Sequence, residues 1–415
     1  MHQTENRGHM GNARKFDEDA VLRARVALLG SGRLTAREEL EAYRVLAEVS
    51  PRAYLPKLVQ VLVHRSYDLG NAELRPALYA EAVAAARRLD AEVPHRDGSL
   101  RQALRSYELA LFAVGRRAEG RAVCEELART APCGRLALVL AEEGRHAEAA
   151  ELYGRQVTSG GADVSDWTLI EWAAELDAAG RREEALKVFG GLVDDTRHRV
   201  AEDRAPLASS VWKLNHYAGM LRAAGHRREE AAARREALAL LTRLAQGGEP
   251  ASRGNIRATW VTLFALSGRP AEPAATPESP LPPFGAYPFH GWSPDTREAY
   301  FGSVPALERE VVALRESGDL PGLVTAHRRL TVRRALHRET RGFRDEEALC
   351  PVFDEGVALA RRLPASPGTL AQAQALTDRS MFLAAVERYA EAHADFVEAV
   401  ALLDGGTPPP IVTRT

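Results

Sequence analysis

Seven arginines crowd one stretch of this chain, from Arg328 to Arg344, against the single acid Glu339. On a helix Arg334, Arg338 and Arg341 share a face. Guanidiniums grouped in this way can hold an anion, an acidic peptide or a nucleic acid backbone, because each presents paired N–H donors to an oxyanion. The other reading is a solvated outer face paired by acids of a neighbouring helix, with Asp345, Glu346 and Glu347 nearest in sequence. Other chemistry-bearing patterns are incomplete. His146-Ala147-Glu148 has the His-x-Glu spacing of a zinc-activated water site, but the paired cysteines that such a site needs are missing downstream. There is no glycine-rich phosphate loop, and no pair of histidines one helical turn apart with a glutamate beside them. Cys124, Cys133 and Cys350 are too few and too scattered for a zinc site or a disulfide framework, and read as packing residues. No catalytic residue, metal or cofactor is expected, and the chain is not expected to be an enzyme.

The elements that carry these residues follow from composition. Hydrophobic residues make up 45% and charged residues 27%, as in folded proteins rather than disordered ones. Ala, Leu, Arg and Glu dominate, all strong helix formers, and Ile especially is sparse. A formal net charge of −2 excludes a global field that would draw the chain to nucleic acid or an anionic membrane. Lysine occurs only at Lys15, Lys57, Lys187 and Lys213, which reads as the codon usage of a GC-rich bacterial genome. No apolar run approaches the roughly 18–20 residues that span a bilayer, and the polar start is not a secretory signal, so a cytoplasmic location is expected.

A short phrase recurs: a helix, a glycine with a basic residue, then acidic residues and alanine opening the next helix. It stands at Gly115, Gly144, Gly180 and Gly225, with degenerate copies at Gly268 and Gly318, and near Tyr389 with Glu387 in the place of glycine. Glycine tolerates the left-handed conformation that ends a helix, and the glutamates suit the start of the next one. The phrase therefore predicts a tight turn between antiparallel helices. Its flanks agree. Leu169, Trp172, Ala173 and Leu176 precede Gly180, and Leu214, Tyr217, Ala218 and Leu221 precede Gly225, each set on one helical face. After the turn comes a small, aromatic, small order, as in Ala185, Phe189 and Leu192, or Ala392, Phe396 and Ala399. After Gly225 that order fails, with Glu230 and Arg234 in its places.

This pattern resembles the tetratricopeptide repeat family, from about Leu100 to Leu244 and again from Leu370 to Leu403. The resemblance implies an all-α solenoid of helical hairpins. Glycine spacings of 29, 36, 45 and 43 residues depart from the family's roughly 34-residue unit, so the repeats are irregular. The expected layout is a disordered tail over 1–14, an array over 15–268, a break over 269–296, a second helical block over 297–404 and a disordered tail over 405–415. The break carries eight prolines, which no helix would tolerate.

The resemblance also implies a groove lined by the first helix of each pair. Carried over position by position, it nominates Gln102, Arg105 and Phe112, then Trp167, Ile170 and Asp177, then Trp212, Asn215 and Arg222, as exposed contacts for a protein or peptide partner. For Trp167 and Trp212 packing onto a neighbouring repeat is the open alternative. The stretch Leu34–Glu38 resembles the opening of a LuxR-type DNA-binding motif, but the residues after it lack the turn and recognition helix. A capping box between Thr35 and Glu38 is the preferred reading. Finally, Phe284, Tyr287, Phe289 and Trp292 lie in the proline-rich break, more aromatic surface than a flexible linker would leave in water. The segment is expected to pack across a helical surface, as a docking strap or as a self-blocking mimic of a ligand. The function expected is a non-catalytic scaffold binding a protein or peptide in the groove. The alternative is a signal-sensing regulator binding a peptide or small ligand; an enzyme with a site between the blocks ranks last.

Overall fold

The computed structural model describes residues 17–30, 34–69, 71–130, 134–161, 164–250, 256–341 and 347–405. Among them every regular element is helical. The tails expected at 1–14 and 405–415 lie outside the described residues, apart from Gly405. The chain divides into two compact units, Met1–Thr130 and Ala131–Thr415.

The first unit contains α1 (Glu18–Leu29), α2 (Ala36–Val49), α3 (Pro51–His64), α4 (Ser66–Leu69), α5 (Arg75–Arg87), α6 (Arg96–Ala113) and α7 (Arg117–Thr130). Neighbours pack in sequence: α1 on α2, α2 on α3, α3 on α5, α5 on α6 and α6 on α7. Thr35 opens α2 with the anticipated capping box. The Glu38 amide donates to Thr35 Oγ1 at 3.3 Å, and the Thr35 amide donates back to Glu38 Oε2 at 2.9 Å. These bonds hold the Glu38 carboxyl below its usual range.

The second unit contains α8 (Gly134–Glu142), α9 (His146–Gly160), α10 (Asp166–Ala178), α11 (Arg182–Ala201), α12 (Leu207–Ala224), α13 (Arg227–Gly247) and α14 (Ile256–Gly268). After a largely extended segment come α15 (Pro288–Gly291), α16 (Pro294–Gly302), α17 (Val304–Ser317), α18 (Leu320–Arg341), α19 (Cys350–Arg361), α20 (Ala365–Ala385) and α21 (Tyr389–Leu403). Helices α8 to α13 form one row of neighbours and α17 to α21 another. The two rows close on each other. Helix α21 packs on α13, and α14 packs on α12, α18 and α20. A helix apolar on all sides must be buried, and α14 is one: Ala258, Trp260, Val261, Leu263, Phe264, Ala265 and Leu266 all sit in the core. Its Trp260 and Phe264 join Phe353 and Phe382, whose rings stack at 4.5 Å. The boundary of the units thus falls between α7 and α8 rather than at the proline-bearing segment, because helices from both sides of that segment share one core.

The recurring phrase is a turn locked twice. Gly115, Gly144, Gly180 and Gly225 have φ between +73° and +85°, and the degenerate copy at Gly318 has +77°, whereas the copy at Gly268 stays right-handed at −85° and runs on into a short 3-10 turn instead of a tight hairpin. The amide after the glycine then reaches back across the helix end, from Arg145 to the Leu140 carbonyl and from Arg181 to that of Leu176, each at 2.8 Å. The arginine side chain at that position grips the glutamate three residues on, as Arg116–Glu119, Arg145–Glu148 and Arg181–Glu184. Glu387 occupies the glycine's place in the left-handed region with φ 67°, and Arg388 repeats both contacts, to the Leu383 carbonyl and to Glu391. Exposed ion pairs such as these are screened by water and add little net stability, so the turn rests mainly on backbone geometry and on the packing it permits. Ala185, Phe189, Leu192, Ala392, Phe396 and Ala399 are buried, as the small-aromatic-small order requires. His146 and Glu148 belong to such a turn, with His146 Nδ1 at 2.6 Å from Glu175 Oε2.

Candidate functional site

The segment between α14 and α16 lies as a strap over α8 and α10. The Leu281 amide donates to the Glu142 carbonyl at 3.0 Å. The buried Glu142 carboxylate accepts from the Ser293 amide at 2.7 Å and from its hydroxyl at 2.6 Å. Arg135 donates to the Gly291 carbonyl and to Ser293 Oγ. Gly285 lies so close to Ala174 and the Glu171 backbone that no Cβ would fit. Phe284 and Trp292 are buried, and Tyr287 sits 6.1 Å from the Trp167 ring. The side chain of Phe289 lies outside the described residues. Burial raises the Glu171 carboxyl beneath the strap to about 8, so it holds its proton at neutral pH.

Beyond the strap, α10, α12, α13, α14, α20 and α21 enclose a cavity of about 300 Å³. Its exposed liners Gly219, Ala223 and Pro270 mark where it meets solvent. One face of α12 supplies Trp212, Asn215, Gly219 and Arg222, spaced three or four residues apart as a single helical stripe requires. A Cβ placed on Gly219 meets nothing within 4 Å. The apolar wall comes from Trp260, Phe264, Met381 and Phe396.

The charged liners form three groups. Glu230, 3% exposed at its side chain, accepts from Arg222 Nε at 2.5 Å and from Arg234 Nη1 at 2.6 Å, and Arg227 approaches its other oxygen at 3.3 Å. Arg234 Nη2 also donates to Asp404 at 2.5 Å. Asp177 faces Arg269 Nη2 at 3.3 Å, while Arg269 Nη1 donates to the Ala174 carbonyl. Asp378 accepts from Arg328 Nε at 2.6 Å and from the side-chain Nε2 of Gln374 at 2.8 Å. His216 also lines the cavity; burial, with the Arg269 charge adding to it, pushes its imidazole down to about 4, so the ring is neutral at physiological pH.

The nominated groove residues separate into two kinds. Asp177, Asn215 and Arg222 reach the cavity, and Gln102 and Arg105 are exposed on α6. Phe112, Ile170 and Trp212, expected to be exposed, are instead core residues at 0%, 1% and 2% exposure. Phe112 packs face-on against Gly120 of the partner helix α7. Ile170 belongs to the core of the second unit, and Gly285 of the strap lies against its carbonyl. Trp212 is covered by α20, and its indole N–H donates to the Met381 carbonyl at 3.1 Å. Trp167 is half-buried under Tyr287. In the second unit the stripe that a groove would expose is thus filled by the chain's own later segments.

Four arginines of the arginine-rich helix α18 are paired, by Asp378, Glu272 and Glu308. Arg328 holds Asp378, Arg329 and Arg333 meet the buried Glu272 at 3.5 and 2.8 Å, and Arg334 holds Glu308 at 2.7 Å. Arg338 is half-buried. The side chain of Arg341, and Asp345 and Glu346, lie outside the described residues.

No family model and no curated protein matches this sequence. Among the described residues no helix is long and apolar enough to cross a membrane, and no group of three or more His, Cys, Asp or Glu is placed to hold a metal ion. The cavity residues that sequence reasoning missed are Arg234, Arg269, Asp378, His216, Gly219 and the aromatic wall. One signal pointed there: the small-aromatic-small order breaks at Glu230 and Arg234, the two residues that build the buried charge network beside the cavity.

Proposed function

We propose that the chain is a non-catalytic, tetratricopeptide-like binding protein that takes a small ligand into the cavity between α12, α14 and α20. The carrying observation is that three residues nominated from the repeat pattern, Asp177, Asn215 and Arg222, converge there with an aromatic wall. A concave, mostly apolar space with a few placed polar groups is how small-molecule sites are generally built. Helices from both rows line it, so occupancy would couple the last helices to the middle of the array, as a ligand-sensing regulator in the cytoplasm requires. Native mass spectrometry of protein purified from its host tests this. A co-purifying small molecule, lost in Gly219→Leu, is expected. If none is found, and no compound of a diverse library raises the melting temperature in a Gly219-dependent way, the reading is abandoned.

A second reading, a scaffold for a protein or peptide partner, is favoured by the first unit. Gln102, Arg105 and Leu109 lie on one stripe of α6, with Leu109 46% exposed. A captured partner that survives Arg105→Glu with Leu109→Glu would exclude this stripe as its site.

A further inference from the structure

We infer that the cavity is built for a monoanionic ligand, a single carboxylate on an apolar body, with Arg222 as its charge partner. This rests on the reading of the cavity as a ligand site and specifies what enters it.

The lining groups differ in how far they are already used. Asp177 and Asp378 each hold an arginine, Arg269 and Arg328. Arg234 is consumed by Glu230 and Asp404. Arg222 differs. Only its Nε is engaged, by Glu230, and its side chain keeps 25% exposure while lining the cavity. Neither Nη makes a hydrogen bond among the described residues, so the end of the guanidinium is open. Glu230 fixes that fork from behind, which is the arrangement that receives a carboxylate through two parallel N–H donors.

Charge agrees with geometry. Around Glu230 three guanidiniums, Arg222, Arg227 and Arg234, face two carboxylates, Glu230 and Asp404. One positive charge is left over, enough for one negative charge. A second negative charge would meet Glu230, Asp404, Asp177 and Asp378 with no further free cation among the described lining residues to offset it. Asn215 lies two turns back on the same face, about 10 Å along the axis at 1.5 Å per residue. Its carboxamide has no partner among the described residues and can take a polar group at the far end of the ligand. Between them Gly219 leaves the helix surface bare, and Trp212, Phe264 and Met381 line the space for an apolar body. A volume of about 300 Å³ suits a small molecule, not a polypeptide segment.

The test is isothermal titration calorimetry of the full chain with four matched probes: phenylbutyrate, phenylbutanol, phenylbutylamine and phenylbutyl phosphate. Phenylbutyrate is expected to bind about 10-fold or more tighter than the alcohol, as a charge-assisted hydrogen bond requires. The amine and the phosphate are expected to bind more weakly than the carboxylate. Arg222→Met should abolish the preference while weak alcohol binding persists. Glu230 keeps Arg227 and Arg234 in that variant, and Arg222→Lys, which retains the charge but not the fork, should fall between. Gly219→Leu should block every probe. Equal binding of acid and alcohol, blocked by Gly219→Leu, would overturn the anion assignment and leave the cavity reading standing. A carboxylate preference that survives Gly219→Leu would place the site elsewhere and overturn the cavity reading itself. No binding of any probe at millimolar concentration would overturn both.

Discussion

Replacing Gly144 by alanine separates the cost of a left-handed turn from the cost of displacing the strap. Gly144, Gly180 and Gly225 share the same backbone conformation. A Cβ at Gly180 or Gly225 meets nothing within 4 Å, so alanine there adds only the left-handed penalty, about 1–2 kcal/mol. At Gly144 the same Cβ would lie roughly 1 Å inside van der Waals contact with the Ala275 carbonyl. The strap must then lift, and its nearest anchors are the Leu281–Glu142 backbone bond and the two Ser293 bonds to the Glu142 carboxylate. Losing the neutral bond and weakening a charged one adds about 2–3 kcal/mol, for a total of about 3–5 kcal/mol. In a unit of this size the extra term lowers the melting temperature by on the order of 3–5 °C relative to Gly180→Ala. Urea unfolding followed by circular dichroism measures the energies, and limited proteolysis between Thr276 and Trp292 reports strap release. Combining Gly144→Ala with Glu142→Ala should be less than additive, because both remove the same docking. If Gly144→Ala and Gly180→Ala agree within about 0.5 kcal/mol and the strap stays protected, the strap contributes nothing to stability and its docking through Glu142 is refuted.

Three further outcomes follow from the buried ionisable groups. Arg234→Met breaks a buried network whose carboxylates remain, and should destabilise the chain by about 3 kcal/mol, read as a lower urea midpoint with unchanged slope. His216 has a folded pKa of about 4, below the unfolded 6.5, so the unfolded state binds the extra proton in that window. Stability should be full above pH 6.5 and fall by up to about 3 kcal/mol on acidification to pH 4, a slope that His216→Gln flattens in pH-dependent denaturation. Glu171 has the opposite dependence. Its folded pKa of about 8 exceeds the ordinary 4.5, so the unfolded state loses its proton first and stability falls as pH rises from 4.5 to 8. Glu171→Gln should therefore stabilise the protein more at pH 8.5 than at pH 5, and equal effects at both would show that Glu171 is ionised in the folded chain.

Most of the helical architecture was legible in the order of residues alone. Local rules suffice for it: helix-forming composition, Gly115, Gly144, Gly180 and Gly225 in left-handed turns, and Arg–Glu pairs across those turns. They even located the turn at Glu387, where no glycine stands, because Ala392, Phe396 and Ala399 keep the order. The candidate site was legible only in part. Position within a repeat predicts which side of a helix a residue occupies, so Asp177, Asn215 and Arg222 were expected on the inner stripe, and they line the cavity. It does not predict what lies on that stripe. Phe112, Ile170 and Trp212 have the same periodicity as exposed groove residues and are buried.

What the amino-acid order determined by itself is therefore the helices, their turns and the stripe each presents. What the tertiary structure decided is the occupant of that stripe in the second unit. The strap and α14, α20 and α21 cover it, and Met381 and Asp404 meet residues about 170 positions earlier in the chain. Such contacts leave no periodic trace, because a hydrophobic pattern records that a face is buried and not which segment buries it.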